Sequence, residues 1–204
     1  MMTLLGPSCL VAQDLPQPPG NYGLTSVLDG APPMPGLYYM GYVQHYGSTL
    51  KNISGDDIRP NGTHAIRVKS SLLINQLSWI TPLKVLGGHF EMTTVVPLVS
   101  LNVSQPYNLV GRSGIGDIVL GAGIQWFEHK LFGRPFLHRF ELDVFLPIGA
   151  YDDHEDTRPV NASVGYLTVE SYWAQTLMLN SKTSISLRHH FGYNRPFTRY
   201  SGLN

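Results

Sequence analysis

The stretch Phe140-Glu141-Leu142-Asp143-Val144-Phe145-Leu146 constrains this chain most, because hydrocarbon and carboxylate side chains take turns along it. Side chains two apart share a face of a strand, so Phe140, Leu142, Val144 and Leu146 lie opposite Arg139, Glu141 and Asp143. In a soluble sandwich the ionisable face would point outward into water. A membrane barrel inverts this, with hydrocarbon toward lipid and ionisable groups in the lumen.

Seven segments follow such a pattern: about 37–46, 65–79, 89–99, 116–127, 139–146, 166–179 and 184–192. In the second, Ile66, Val68, Leu72 and Ile74 oppose Arg67, Lys69, Ser71 and Asn75. In the third, Phe90 and Met92 oppose Glu91 and Thr93, and Pro97 requires a strand end or a bulge. In the fourth, Ile118, Leu120, Ile124 and Trp126 oppose Asp117, Gly121, Gly123 and Gln125. In the seventh, Ile185, Leu187 and Phe191 oppose Ser186, Arg188 and His190. The sixth has the least separated faces. Several segments reach ten or more residues, longer than the five or six usual in soluble strands and near the roughly 9–11 that a tilted membrane strand needs. Long polar connections (47–61 and 151–163) contrast with short ones (128–130 and 180–182), as external loops contrast with periplasmic turns. Ahead of the strands, residues 15–36 form a Pro/Gly-rich lead-in, and residues 1–14 read as the remnant of a signal peptide. The barrel domain is expected over 37–204. Seven is an odd count, so a C-terminally truncated barrel is expected, or one whose last strand comes from elsewhere.

Composition narrows the function classes. The charged fraction is 14%, with 14 Lys+Arg against 14 Asp+Glu, well below the roughly 25% usual for soluble domains. No net field and no basic cluster is present to track a polyanion, so nucleic-acid binding is not expected. A single cysteine, Cys9, leaves no internal disulfide and no multi-cysteine zinc site. No run of about 18 apolar residues exists, so any membrane span must be made of strands.

Candidate chemistry is sparse. The glycines of 114–123 lack the third glycine of a dinucleotide loop and are followed by no helical pattern. Asp152, Asp153, Glu155 and Asp156 form an acidic run without the spacing of a calcium loop, read as a solvated outer loop. Glu141 and Asp143 share a face and could act as an acid/base pair, although Arg139 beside them would neutralise both. His189 and His190 are adjacent and so point to opposite faces of a strand, unable to chelate one metal together. Tyr38, Tyr39, Tyr42, Tyr46, Trp79, Trp126, Tyr172 and Trp173 suit a membrane interface, or could stack on an aromatic cargo where they point inward. The ionisable faces nominate Arg67, Lys69, Glu91, Asp117, Gln125, Arg139, Glu141, Asp143, Arg188 and His190 as lumen-lining residues. Neither a cofactor nor a metal site is expected.

Four blocks occur in a recognisable order: Gly20-Asn21-Tyr22-Gly23-Leu24, Pro35-Gly36-Leu37-Tyr38, Gly114-Ile115-Gly116-Asp117-Ile118-Val119-Leu120-Gly121-Ala122-Gly123, and Leu146-Pro147-Ile148-Gly149-Ala150-Tyr151-Asp152. With Val160-Asn161-Ala162-Ser163-Val164-Gly165 and Tyr172-Trp173 they resemble the bacterial MetA-pathway of phenol degradation family over about residues 20–194. The resemblance implies an outer-membrane β-barrel of a Gram-negative bacterium that passes small hydrophobic or aromatic molecules, with membrane lipid and lipopolysaccharide as its surroundings. It implies no catalytic residue. The expectation is therefore an all-β, antiparallel transmembrane β-barrel, incomplete in this chain, and not an enzyme. Cargo would be captured on an apolar patch near the external loops. It would then pass a lumen whose charges, Arg139, Glu141, Asp143 and Arg188, keep it hydrated or hold a plug. The alternatives are a soluble periplasmic β-barrel or sandwich carrying an apolar ligand, and a β-rich hydrolase acting through Glu141 and Asp143.

Overall fold

The computed structural model describes residues 28–59, 62, 64–104, 109–110, 113–151 and 161–196. The proposed signal remnant, most of the lead-in, the acidic run at 152–156 and the last eight residues lie outside these. The described residues form strands and no helix: β1 (Gly36–Thr49), β2 (Arg67–Val85), β3 (Gly88–Val103), β4 (Leu109–Val110), β5 (Gly114–Ile115), β6 (Ile118–Trp126), β7 (Lys130–Leu131), β8 (Arg134–Leu146), β9 (Tyr166–Met178) and β10 (Ser184–Pro196). Seven carry the architecture in the order β1-β2-β3-β6-β8-β9-β10. They correspond to the seven alternating segments. The two-residue strands β4 and β5 pair along β3, and β7 along β8.

Each neighbouring pair is antiparallel, and the sheet is an open, curled meander with the form of an incomplete barrel. Its edges, β1 and β10, run in the same direction because an odd number of strands lies in the meander. Short turns (Leu86-Gly87, Phe132-Gly133 and 179–183) gather at one end of the sheet. The long connections (50–66, 104–117 and 147–165) gather at the other.

Two prolines in the middle of long strands, Pro82 and Pro97, sit where the ladder breaks. The register between β2 and β3 shifts between Ile80 and Lys84, a bulge that absorbs Pro82. That bulge carries β2 six residues past Trp79, where the alternation stops being readable. At Pro97, β3 changes partner from β6 to β5. The Pro97 carbonyl accepts from Gly116 N on that side at 2.8 Å, so the missing N–H faces the break and leaves no donor unpaired.

The two faces divide by chemistry. Direct cross-strand partners share a face, which places Phe90, Met92, Leu120, Phe140, Leu142, Trp173, Ile185, Leu187 and Phe191 on the outer side. Leu142 is 47% exposed and Leu120 46%. The same registers put Glu91, Gln125, Glu141, Asp143, Glu170 and Tyr172 on the inner side, all buried, with Glu141 2% exposed. The apolar outer stretch of β6 covers nine residues, or about 20 Å once a strand tilt near 45° is applied to its ~3.3 Å rise, comparable to the roughly 25 Å apolar band of membrane barrels.

Arg67 and Lys69 correct the expectation for β2. With Ile80 opposite Glu91, the even residues of β2 face inward and the odd ones outward, so Arg67 and Lys69 stand exposed on the outer side, away from the charges of β8. The apolar pattern of β2 changes face halfway along: Val68, Leu72 and Ile74 point inward, whereas Leu73, Leu77 and Trp79 point outward. Alternation read from the first half alone assigns the polar residues to the wrong side.

Candidate lumen site

Three consecutive cross-strand rows of the inner face carry the ionisable groups. They run Thr93, Gly121, Asp143, Glu170 and Gly192; then Glu91, Gly123, Glu141, Tyr172 and His190; then His89, Gln125, Arg139, Ala174 and Arg188. Gly121 and Gly123 leave a side-chain-free lane on β6, between β3 and β8. A methyl group on Gly121 would overlap the carboxylates of Asp143 and Glu141 and come within 2.6 Å of Thr93 Cγ2. Through this gap β8 and β3 reach each other: Arg139 Nε lies 3.5 Å from Glu91 Oε1 and 3.6 Å from Glu141 Oε2. Gly121 and Gly123 thus make room in a charged interior.

Tyr172 links this group to β9 and β10. Its hydroxyl donates to Glu141 Oε2. The guanidinium carbons of Arg139 and Arg188 lie 5.2 and 5.1 Å from its ring centroid, within cation–π range. His190 Nδ1 is 2.6 Å from Glu170 Oε1. The lead-in closes the cluster: Asp29 pairs with Arg188 through both carboxylate oxygens, Gly30 N donates to Thr176 Oγ1 at 2.9 Å, and Gln125 Nε2 donates to Gly30 O at 3.1 Å. A Cβ on Gly30 would come within 2.7 Å of Gln175 Cα and of Leu137 O, so only glycine lets the segment lie this close to the sheet. Buried atoms of three carboxylates, Glu91 Oε1, Asp143 Oδ1 and Glu170 Oε2, have no hydrogen-bond partner among the described residues. No group of three or more His, Cys, Asp or Glu among those residues is arranged to hold a metal ion.

On β2 and β3, toward the long connections, the inner face turns largely apolar. Tyr42, Leu72, Ile74, Val95, Pro97 and Val99 share it on β1, β2 and β3, half-buried apart from the more exposed Tyr42. The site is therefore a half-open apolar surface beside the long-connection rim, followed by a closely packed charged belt with the lead-in laid across it.

Asp117 sits at that rim, outside the charged belt. Its carboxylate accepts from Gly149 N at 3.2 Å and Val164 N at 2.9 Å. Burial pushes the Asp117 carboxyl above its ordinary range, opposed by the hydrogen bonds from Ser163, Val164 and Gly149. Around it Ala150 N donates to Ile115 O at 2.8 Å and Ser163 N to Ala150 O at 3.1 Å. Three blocks that are far apart in sequence, 114–117, 147–150 and 161–165, thus meet in one backbone knot.

Of the nominated residues, Glu91, Gln125, Arg139, Glu141, Asp143, Arg188 and His190 come together on one face, Asp117 ties the rim, and Arg67 and Lys69 stand outside. Tyr172 is not an interface aromatic, since its ring is buried among the charges. Glu170, Thr176, Asp29 and Gly30 also join the site, beyond the residues nominated from the sequence. The first two were signalled by Thr168, Glu170, Tyr172, Ala174 and Thr176, small or polar residues at every second position. Nothing local marks Asp29 and Gly30, whose partners lie 95 to 159 residues away.

Residues 51–201 match the family model described as "Putative MetA-pathway of phenol degradation". No curated protein and no solved structure matches the chain.

Proposed function

We propose that this chain, which belongs to the MetA-pathway of phenol degradation family, acts as an outer-membrane channel that admits small hydrophobic or aromatic compounds. The observation that carries this reading is the inverted polarity of the sheet: Glu141 is 2% exposed on the inner side while its chain neighbour Leu142 is 47% exposed on the outer. In water that arrangement costs twice, once for the exposed hydrocarbon and once for the buried charge. In a bilayer the first cost becomes a gain. The soluble-carrier alternative requires the opposite distribution.

Cargo enters at the long-connection rim and rests on Tyr42, Leu72, Ile74 and Val99, where apolar and aromatic side chains desolvate it without charge. Passage then meets the belt of Glu91, Arg139, Glu141 and Arg188, which the lead-in occupies through Asp29 and Gly30. Shifting that segment opens the way, and the solute gradient drives movement. No bond is made or broken. The test is fractionation of cells expressing the chain, with gel migration compared before and after boiling. Recovery in the outer membrane with heat-dependent migration is expected; recovery in the soluble periplasmic fraction overturns the proposal.

A further inference from the structure

The short-turn rim carries a second feature that transport does not use. Leu86-Gly87 and Phe132-Gly133 are two-residue loops closing the hairpins Val85/Gly88 and Leu131/Arg134. Both central residues of each have positive φ: Leu86 50°, Gly87 79°, Phe132 53° and Gly133 73°. This is the turn for which Asn-Gly is the favoured pair, and a bulky side chain in that conformation is sterically disfavoured. Leu86 and Phe132 are nevertheless 83% and 86% exposed, so packing within the protein does not compensate the strain. Strain maintained without an internal reason points to an external contact.

The surroundings indicate its chemistry. Arg134, on the outer side opposite Leu131, and Lys182, in the β9–β10 turn, stand exposed at this rim, while Lys84 and Lys130, opposite His89 and Pro135, belong to the inner side, where Lys84 pairs with Glu128 at 3.3 Å. Arg134 is held by the Leu179 carbonyl, which ties the second hairpin to the β9–β10 turn. Trp126, on the outer face, donates its indole N–H to Leu86 O at 3.0 Å. The first tip therefore leans to the same side as Trp126 and its stacked neighbour His138. Apolar tips flanked by exposed cations, level with an aromatic band, match a bilayer surface with negative headgroups.

We propose that Leu86 and Phe132 dip into the lipid interface at the short-turn end, where Arg134 and Lys182 bind the phosphates of anionic phospholipids. This rests on the barrel reading, and the test separates the two. The full chain with Cys9→Ser and Phe132→Cys is labelled with an environment-sensitive fluorophore. It is then folded into vesicles of phosphatidylcholine, with or without phosphatidylglycerol. Acrylamide quenching of the label is expected to fall by about threefold more with phosphatidylglycerol present, a modest effect for two cations near a charged surface. Arg134→Gln and Lys182→Gln together remove the difference. Leu86→Asn raises quenching although Asn is the residue this turn prefers, an effect that a purely structural role for Leu86 would not produce. A companion label at Leu142→Cys, read with brominated acyl chains, reports the span. Quenching at Leu142 with equal acrylamide access at residue 132 in both lipids overturns the headgroup proposal and leaves the barrel standing, the outcome also expected if the tips bind a protein. Absence of acyl-chain quenching at Leu142 overturns the barrel, and the headgroup proposal with it.

Discussion

Arg139 stands between Glu91 and Glu141, its guanidinium over the ring of Tyr172. Removing it leaves two carboxylates in a dry interior without their counter-charge, a change that typically costs about 3–5 kcal/mol. Arg139→Ala should therefore lower the temperature at which the folded gel band disappears, whereas Arg139→Lys keeps the charge and recovers part of the loss. The pairing of Arg139 with Glu141 was readable from sequence, because residues two apart share a strand face. Its pairing with Glu91 was not, since that depends on Gly121 and Gly123 lying between the two strands in register.

Single strands obey their own periodicity, and β8 is the clearest: Phe140, Leu142, Val144 and Leu146 face out and Arg139, Glu141 and Asp143 face in. Leu142→Arg tests what the outer face meets. At the midplane of a bilayer such a charge costs about 2–4 kcal/mol, so the variant should yield much less heat-modifiable protein in the membrane fraction. On a water-facing surface it should change stability by no more than about 0.5 kcal/mol. β2 resists the same treatment because its hydrocarbon changes side midway, and a bulge at Pro82 extends it beyond its last readable alternation. Two-residue strands such as β5 and β7 carry too few residues to show any period.

Across the whole molecule, the docked lead-in decides how open the interior is. Asp29 and Gly30 reach Arg188, Thr176 and Gln125 on three different strands. Asp29→Ala removes the ion pair, and conductance across a planar bilayer should rise relative to the unaltered chain. Equal conductance in the two would mean that this segment does not gate the lumen. The edges set a second whole-molecule condition. β1 and β10 run in the same direction, so joining them directly would make a parallel pair, and an all-antiparallel closure takes an odd number of further strands between them. Seven strands could be counted from the alternation, but their directions and neighbours belong to the assembled sheet.

From its order of residues alone, this chain determined that it forms strands, about how many, and which side of most of them carries charge, because a period of two is a local property of an extended backbone. Which side faces inward was settled only when the strands assembled, since burial requires neighbours. The tertiary structure also decided that Arg67 and Lys69 lie outside, that Tyr172 joins the acids, and that Asp29 crosses to Arg188. Each of these rests on register or on contacts between residues distant in sequence, and no local pattern encodes them.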